Sequence, residues 1–240
     1  MRIGKKLLLS FLFITIMVGV VGYISVSISK KTLQKTLGKE ALHLAISSMR
    51  EIDEEVYDKI EELLAFANDL SLEGYCIASN SKFDKITDIK NHIDTIDKDW
   101  QEGKDTPFIQ SILGNKLSKR LTNHLEFYMQ KYGYAVFSEI YVANKYGVVI
   151  GATNRTSDYL QADEDWYKKA VAENAFWVGA VEYDASSNAI TFDIVVNLYD
   201  KSGNSVGILK APLNTEDIRK SIEHIYSESE YKSVSPYLVD

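Results

Sequence analysis

Between residues 158 and 167 the chain places three aromatic side chains, Tyr159, Trp166 and Tyr167, among four carboxylates, Asp158, Asp163, Glu164 and Asp165. Flat rings with polar tips beside negative charge suit a cationic ligand, held by cation–π and ionic contacts. A polyamine or a quaternary amine is the ligand class this pattern favours. The same residues also fit plainer roles. Asp and Glu at the start of a helix complement its dipole, and the rings, Trp166 above all, fit a core.

Farther along stand Trp177, Tyr183, Asp184 and Asp193. Asp193 lies between Phe192 and Ile194, so in a strand its carboxylate points away from their face. If that face looks into a pocket, Asp193 holds a ligand amine; if not, it is solvated. Trp177 is a candidate pocket wall, and Tyr183 a further aromatic contact. The candidate binding set is therefore Tyr159, Glu164, Trp166, Tyr167, Trp177, Tyr183 and Asp193.

Other chemistry is poorly supported. Cys76 is the single cysteine and has no internal disulfide partner, and His43, His92, His124 and His224 show no zinc spacing. No cofactor or metal set is read. The carboxylates leave open an anchored enzyme with a metal site or a glycosidase-like acid/base pair, but no activated nucleophile or histidine accompanies them. A structural surface protein without a pocket is a third class. Net charge is −7, and Arg2, Lys5 and Lys6 make the first six residues positive. The acidic remainder argues against nucleic-acid partners, which need clustered Lys and Arg. Asn154-Arg155-Thr156 matches the glycosylation sequon.

These residues must be positioned by the surrounding elements. Leu7–Ile28 carries no charge; at about 1.5 Å per residue it spans about 33 Å, enough for a hydrocarbon core of about 30 Å. A cleaved signal peptide is the alternative, but the stretch is too long for one and no small-residue cleavage site follows. The flanking charges, with Lys30, Lys31, Lys35 and Lys39 after the span, do not decide its orientation. From Ser29 to Leu72 apolar residues recur every three or four positions, the pattern of one long stalk helix. Helices are expected around 83–99 and 107–131. Two β-prone runs flank Asn144-Lys145-Tyr146-Gly147, a hairpin signal. A short helix near Trp166 precedes strands over 176–181, 189–198 and 205–213, separated by turn formers at 184–188 and 200–204. Asn214 with Asp217 is a plausible start for a helix over 215–227. The fold class expected is α+β, a five-stranded antiparallel sheet with a long helix against it. Residues 235–240 look like the start of a strand left without partners, which suggests a fragment of a longer protein.

Several stretches resemble the extracytoplasmic double Cache (PAS-like) sensor domains of microbial histidine kinases and chemoreceptors. They are Tyr141–Asn154, Thr156–Tyr167, Trp177-Val-Gly179, Val181–Asp184 and Gly207–Asn214. The resemblance implies a short tail (1–6), a transmembrane helix (7–28), a stalk (29–72), a membrane-distal module (73–227) and the opening of a truncated membrane-proximal module (228–240). It also implies a cell-membrane location with the soluble part outside, a small-molecule ligand in the distal module and a homodimer formed through the stalk. A second membrane helix and an output domain such as a kinase would lie beyond this chain, and this region itself would not be an enzyme. In the amino-acid-binding subgroup, an arginine five residues after the tyrosine and an Asp near the last strand hold the ligand. Tyr159, Trp166 and Tyr167 match the spacing, whereas Glu164 stands at the arginine position and Pro212 at that of the Asp. Glu164 would repel a carboxylate that arginine would grip, so an amine is favoured over an α-amino acid.

Overall fold

The computed structural model describes residues 3–69, 72–173, 175–184, 189–216 and 218–220. The chain divides into two compact units, Met1–Asp53 and Glu54–Asp240. The expectations for a helix over 215–227 and for residues 228–240 fall largely or wholly outside the described residues, as does most of the 184–188 turn.

The first unit is the opening part of helix α1 (Ile3–Asp69). It holds the apolar span, with a mean hydropathy of 2.5 over its best 18-residue window and none of that window buried. Among the described residues this is the one helix long and apolar enough to cross a membrane. The hydroxyls of Ser10 and Thr15 donate to the carbonyls of Lys6 and Phe11, each at 3.0 Å. That back-bonding lets polar side chains sit in an apolar helix without a lost hydrogen bond.

In the second unit, α1 is followed by α2 (Leu72–Phe83), α3 (Ile89–Gln101), α4 (Pro107–Leu113) and α5 (Lys116–Tyr132). Local chemistry sets the boundaries. Asp88 caps α3 by accepting from Asn91 N, and Thr106 caps α4 by accepting from Ile109 N, with Pro107 at the first helical position. The single helix expected over 107–131 is two. Gly114 ends α4, and Asn115 restarts the chain as α5 by accepting from Ser118 N at 2.8 Å. Phe83 likewise closes α2, where the sequence suggested a helix beginning. Gly133, at φ +78°, donates to Met129 O and stops α5.

The sheet contains β1 (Tyr141–Asn144), β2 (Val149–Ala152), β3 (Phe176–Asp184), β4 (Ala189–Tyr199) and β5 (Ser205–Asn214), and α6 (Asp165–Ala172) precedes β3. All pairings are antiparallel, in the order β2-β1-β5-β4-β3. The fold is α+β. Side-chain chemistry closes the turns. Asn144 Oδ1 accepts from Tyr146 N at 2.9 Å, and Asp200 Oδ1 accepts from Ser202 N and Asn204 N.

β4 is buried almost throughout, so both faces of the sheet are covered. Register puts Tyr141, Ala143, Ile208, Lys210, Val195 and Trp177 on one face. There Ala143, Val195 and Ile208 pack with Tyr167 and Ala170 of α6. On the other face Leu117 of α5 lies so close to Gly151 that a Cβ there would stand 2.7 Å from its Cγ.

Candidate functional site

β5 is a buried apolar strand with one charge in it. Lys210 is buried, and its ammonium lies 2.8 Å from Asp193 Oδ2 and 3.9 Å from the centroid of the Trp166 ring. Tyr141, its neighbour across the β1–β5 pair, has its ring centroid 5.9 Å away. Asp193 is two residues from Val195 on β4, and Val195 pairs with Lys210, so acid and base project from the same face. Trp166 reaches them because α6 begins at Asp165 and lays its first turn over that face.

A polar chain runs away from this centre. Tyr141 donates its hydroxyl hydrogen to Gln161 Oε1 at 2.7 Å, and Gln161 Nε2 donates to the Asp158 carbonyl at 3.0 Å and to its carboxylate. Burial raises the Asp158 pKa to about 6, and the charges of Glu164, Asp97 and Asp163 add to the rise. Burial also holds the Tyr141 hydroxyl well above its ordinary value, with Glu139, Asp193, Asp158 and Glu164 reinforcing the shift. The potential around this face is therefore negative. Asp97 is committed elsewhere, since it accepts from Tyr159 N and Leu160 N at 2.8 and 3.0 Å and fixes the loop before α6.

Beside Asp193 a glycine lets the wall pack closely. A Cβ at Gly179 would stand 3.0 Å from the Trp177 ring and 3.3 Å from Asp193 Cβ. Gly179 falls where the β3–β4 register shifts between Val178 and Val181, a bulge that breaks the regular pleat beside the acid.

Of the residues singled out from the sequence, Trp166, Trp177 and Asp193 come together here. Tyr167 lies beneath them, buried against Ala143, Val195 and Ile208, its pKa pushed up to about 12, chiefly by burial. Tyr159 packs in an adjoining core cluster that also holds Tyr141 and borders Trp166, with Trp100 at 5.7 Å and Phe108 at 6.2 Å between ring centroids. Glu164 is exposed at the N-cap of α6 and makes no side-chain cap bond. Asp165 lies in the first turn of α6, and Lys168 binds both its carboxylate and the Asp163 carbonyl. Tyr183 pairs with Ile190, on the face opposite Asp193, and is 64% exposed. Lys210, Tyr141 and Gln161 had not been singled out. A lone lysine inside the run Gly-Ile-Leu-Lys-Ala-Pro-Leu was the signal for the first.

A separate cleft of about 190 Å³ lies near Lys59, Tyr132, Leu213 and Ile218. Lys59 donates there to Glu62 at 3.2 Å and to Tyr132 Oη at 3.3 Å. Leu213 points to the sheet face away from Lys210, so this cleft is distinct from the Asp193 cluster. Among the described residues, no group of three or more His, Cys, Asp or Glu side chains is arranged to hold a metal ion.

No family model matches the chain, and no curated protein does. Similar solved structures are sensory domains. The sensory domain of the Campylobacter jejuni chemoreceptor Tlp3 is 15% identical with a TM-score of 0.35, covering 68% of this chain and 66% of that one. The sensor domain of DcuS from E. coli is 15% identical with a TM-score of 0.33, over 55% of this chain and 93% of that one. The ligand-binding domain of the Pseudomonas aeruginosa amino-acid chemoreceptor PctC, solved with GABA, is 13% identical with a TM-score of 0.35, over 57% and 62%. The chain thus spans just under two thirds of the Tlp3 sensory domain.

Proposed function

We propose that this chain is the extracytoplasmic ligand-binding region of a transmembrane signal-transduction receptor, of the histidine kinase or chemoreceptor type. The ligand is a small molecule, an amine in preference to an amino acid, bound on the sheet face that α6 covers. The observation that carries this reading is the buried charge pair Lys210–Asp193 under Trp166. Buried charges are costly, and strands that only fill a core avoid them. Here they are combined with an aromatic face and surrounding negative potential, the parts of a recognition site rather than of a core.

The membrane helix is the second support. Its apolar span runs without a break into the α1 residues beyond it, and Leu33, Leu37, Leu42, Ile46 and Met49 are exposed there. A second copy of the chain would cover them, and a paired helix offers the two-state element through which binding can be transmitted.

The test is a thermal-shift screen of the 240-residue chain in detergent against amines, amino acids and carboxylates. Stabilisation by at least one class, lost in Trp166→Ala, supports the reading. Stabilisation by none of them overturns it.

A further inference from the structure

The covered sheet face is already filled by a lysine. We propose that the Lys210 ammonium holds a cation seat between Asp193 and Trp166, and that an alkylammonium ligand binds by taking that seat from it. The inference rests on the covered sheet face being the ligand site, and adds the group that the ligand displaces.

The geometry of the seat is that of a bound amine. An ammonium 2.8 Å from a carboxylate and 3.9 Å over an indole has both contacts that a cation-recognising pocket supplies. Nothing in that arrangement requires the cation to be tethered to the chain. Lysine carries its charge on a flexible four-carbon stem, so the ammonium can leave while Asp193 and Trp166 keep their places on β4 and α6. Solvent reaches the pair on the acid's side, where the Asp193 side chain keeps 25% of its surface exposed.

Charge selects the incoming group. With Lys210 withdrawn, Asp193 loses its ion-pair partner, on a face where Asp193, Asp158 and Glu164 all hold the Tyr141 hydroxyl protonated. An anion would meet the bare Asp193 carboxylate, whereas an ammonium restores the pairing the lysine gave up. Exchange of one ammonium for another conserves the ion pair, so the desolvation that makes buried pairs costly is not met a second time. The lysine then acts as an internal competitor: it keeps the site closed and neutral without ligand and lowers the apparent affinity by the fraction of time it is seated.

The experiment compares the full chain in detergent with Lys210→Met, using n-butylammonium chloride as the probe and sodium butyrate as the control. Binding is followed by thermal shift and by tryptophan fluorescence. The expected result is n-butylammonium affinity at least about tenfold tighter in Lys210→Met than in the wild type, the gain being the seat freed from its occupant. It should disappear in Lys210→Met/Asp193→Asn, and butyrate should not bind more tightly to either. Equal affinity in wild type and variant, absence of binding in both, or tighter butyrate binding overturns the proposal. If Lys210→Met does not fold, ¹³C-methylated Lys210 in the wild type decides: its signal, shifted by the Trp166 ring, should move to the free-lysine position as amine is added, and a signal that stays in place overturns the proposal. A wild type that binds a carboxylate only while Lys210 is present would leave the sensor reading intact and remove this one alone.

Discussion

Phe66 and His124 stack face to face, with ring centroids 3.5 Å apart and planes 12° from parallel. The imidazole is further boxed by Tyr128, edge-on at 4.8 Å, and its Nε2 is buried with no hydrogen-bond partner among the described residues. Burial lowers its pKa to about 4, against a partial opposing pull from Glu62. The packing of α1 on α5 is thus built around a neutral histidine.

Acid should loosen that packing. Between pH 4 and the unfolded value of about 6.5, the unfolded chain takes up a proton at His124 that the folded chain refuses, so stability falls as pH falls through this window. His124→Phe keeps the stack and removes the titration. The melting temperature of the wild type should therefore drop more between pH 7 and pH 4.5 than that of the variant, as differential scanning fluorimetry would record.

Asp158 should act in the opposite sense. Its folded pKa of about 6 lies above the unfolded value of about 3.9, so the carboxylate costs stability above pH 6 and the cost fades as pH falls toward 4. Asp158→Asn retains an acceptor for Gln161 and carries no charge. It should melt above the wild type at pH 7.5, with the difference shrinking by pH 4.

The contact between α5 and β2 makes a steric prediction. Gly151→Ala places a methyl 2.7 Å from Leu117 Cγ and should cost about 1–3 kcal/mol, the usual price of overpacking. Leu117→Ala opens a void at the same spot. The double substitution should cost less than the two singles combined, a coupling that urea unfolding of all four proteins would reveal.

Topology can be read at Asn154, which is exposed. With the soluble part on the far side of the membrane, translation into microsomes should yield a glycosylated product, and Asn154→Gln should not. Thr156 is buried and donates to the Asp158 carbonyl, so attachment should occur during synthesis and fail on the folded chain. Absence of modification in the microsomal product would count against the proposed orientation.

The strands were legible in the sequence because their punctuation is local. Asn144 and Gly147 mark one turn, and Asp200 and Asn204 the other, while β-branched residues fill the runs between them. The split between α4 and α5 was harder to see, because Gly114-Asn115 interrupts an apolar period that continues across it. At the site, Trp166, Trp177 and Asp193 could be picked out by residue type. Tyr159 and Tyr183 have the same chemistry but fall to a core cluster and to the opposite face, outcomes set by strand register and loop path rather than by spacing. Lys210 is hidden in the sequence because its partners, Asp193 and Trp166, are distant along the chain and adjacent only once β4, β5 and α6 are assembled.

The order β2-β1-β5-β4-β3 seats the first and last of the described strands, β1 and β5, side by side within the sheet. The β1–β2 hairpin and the β3–β4–β5 meander are each local, but the seam joining them, where Tyr141 meets Lys210, closes only after β5 has left the ribosome. Until then β1 presents an unpaired edge. Folding of the sheet should therefore be an all-or-none event that waits for β5, and nascent chains stalled before residue 205 should remain sensitive to protease.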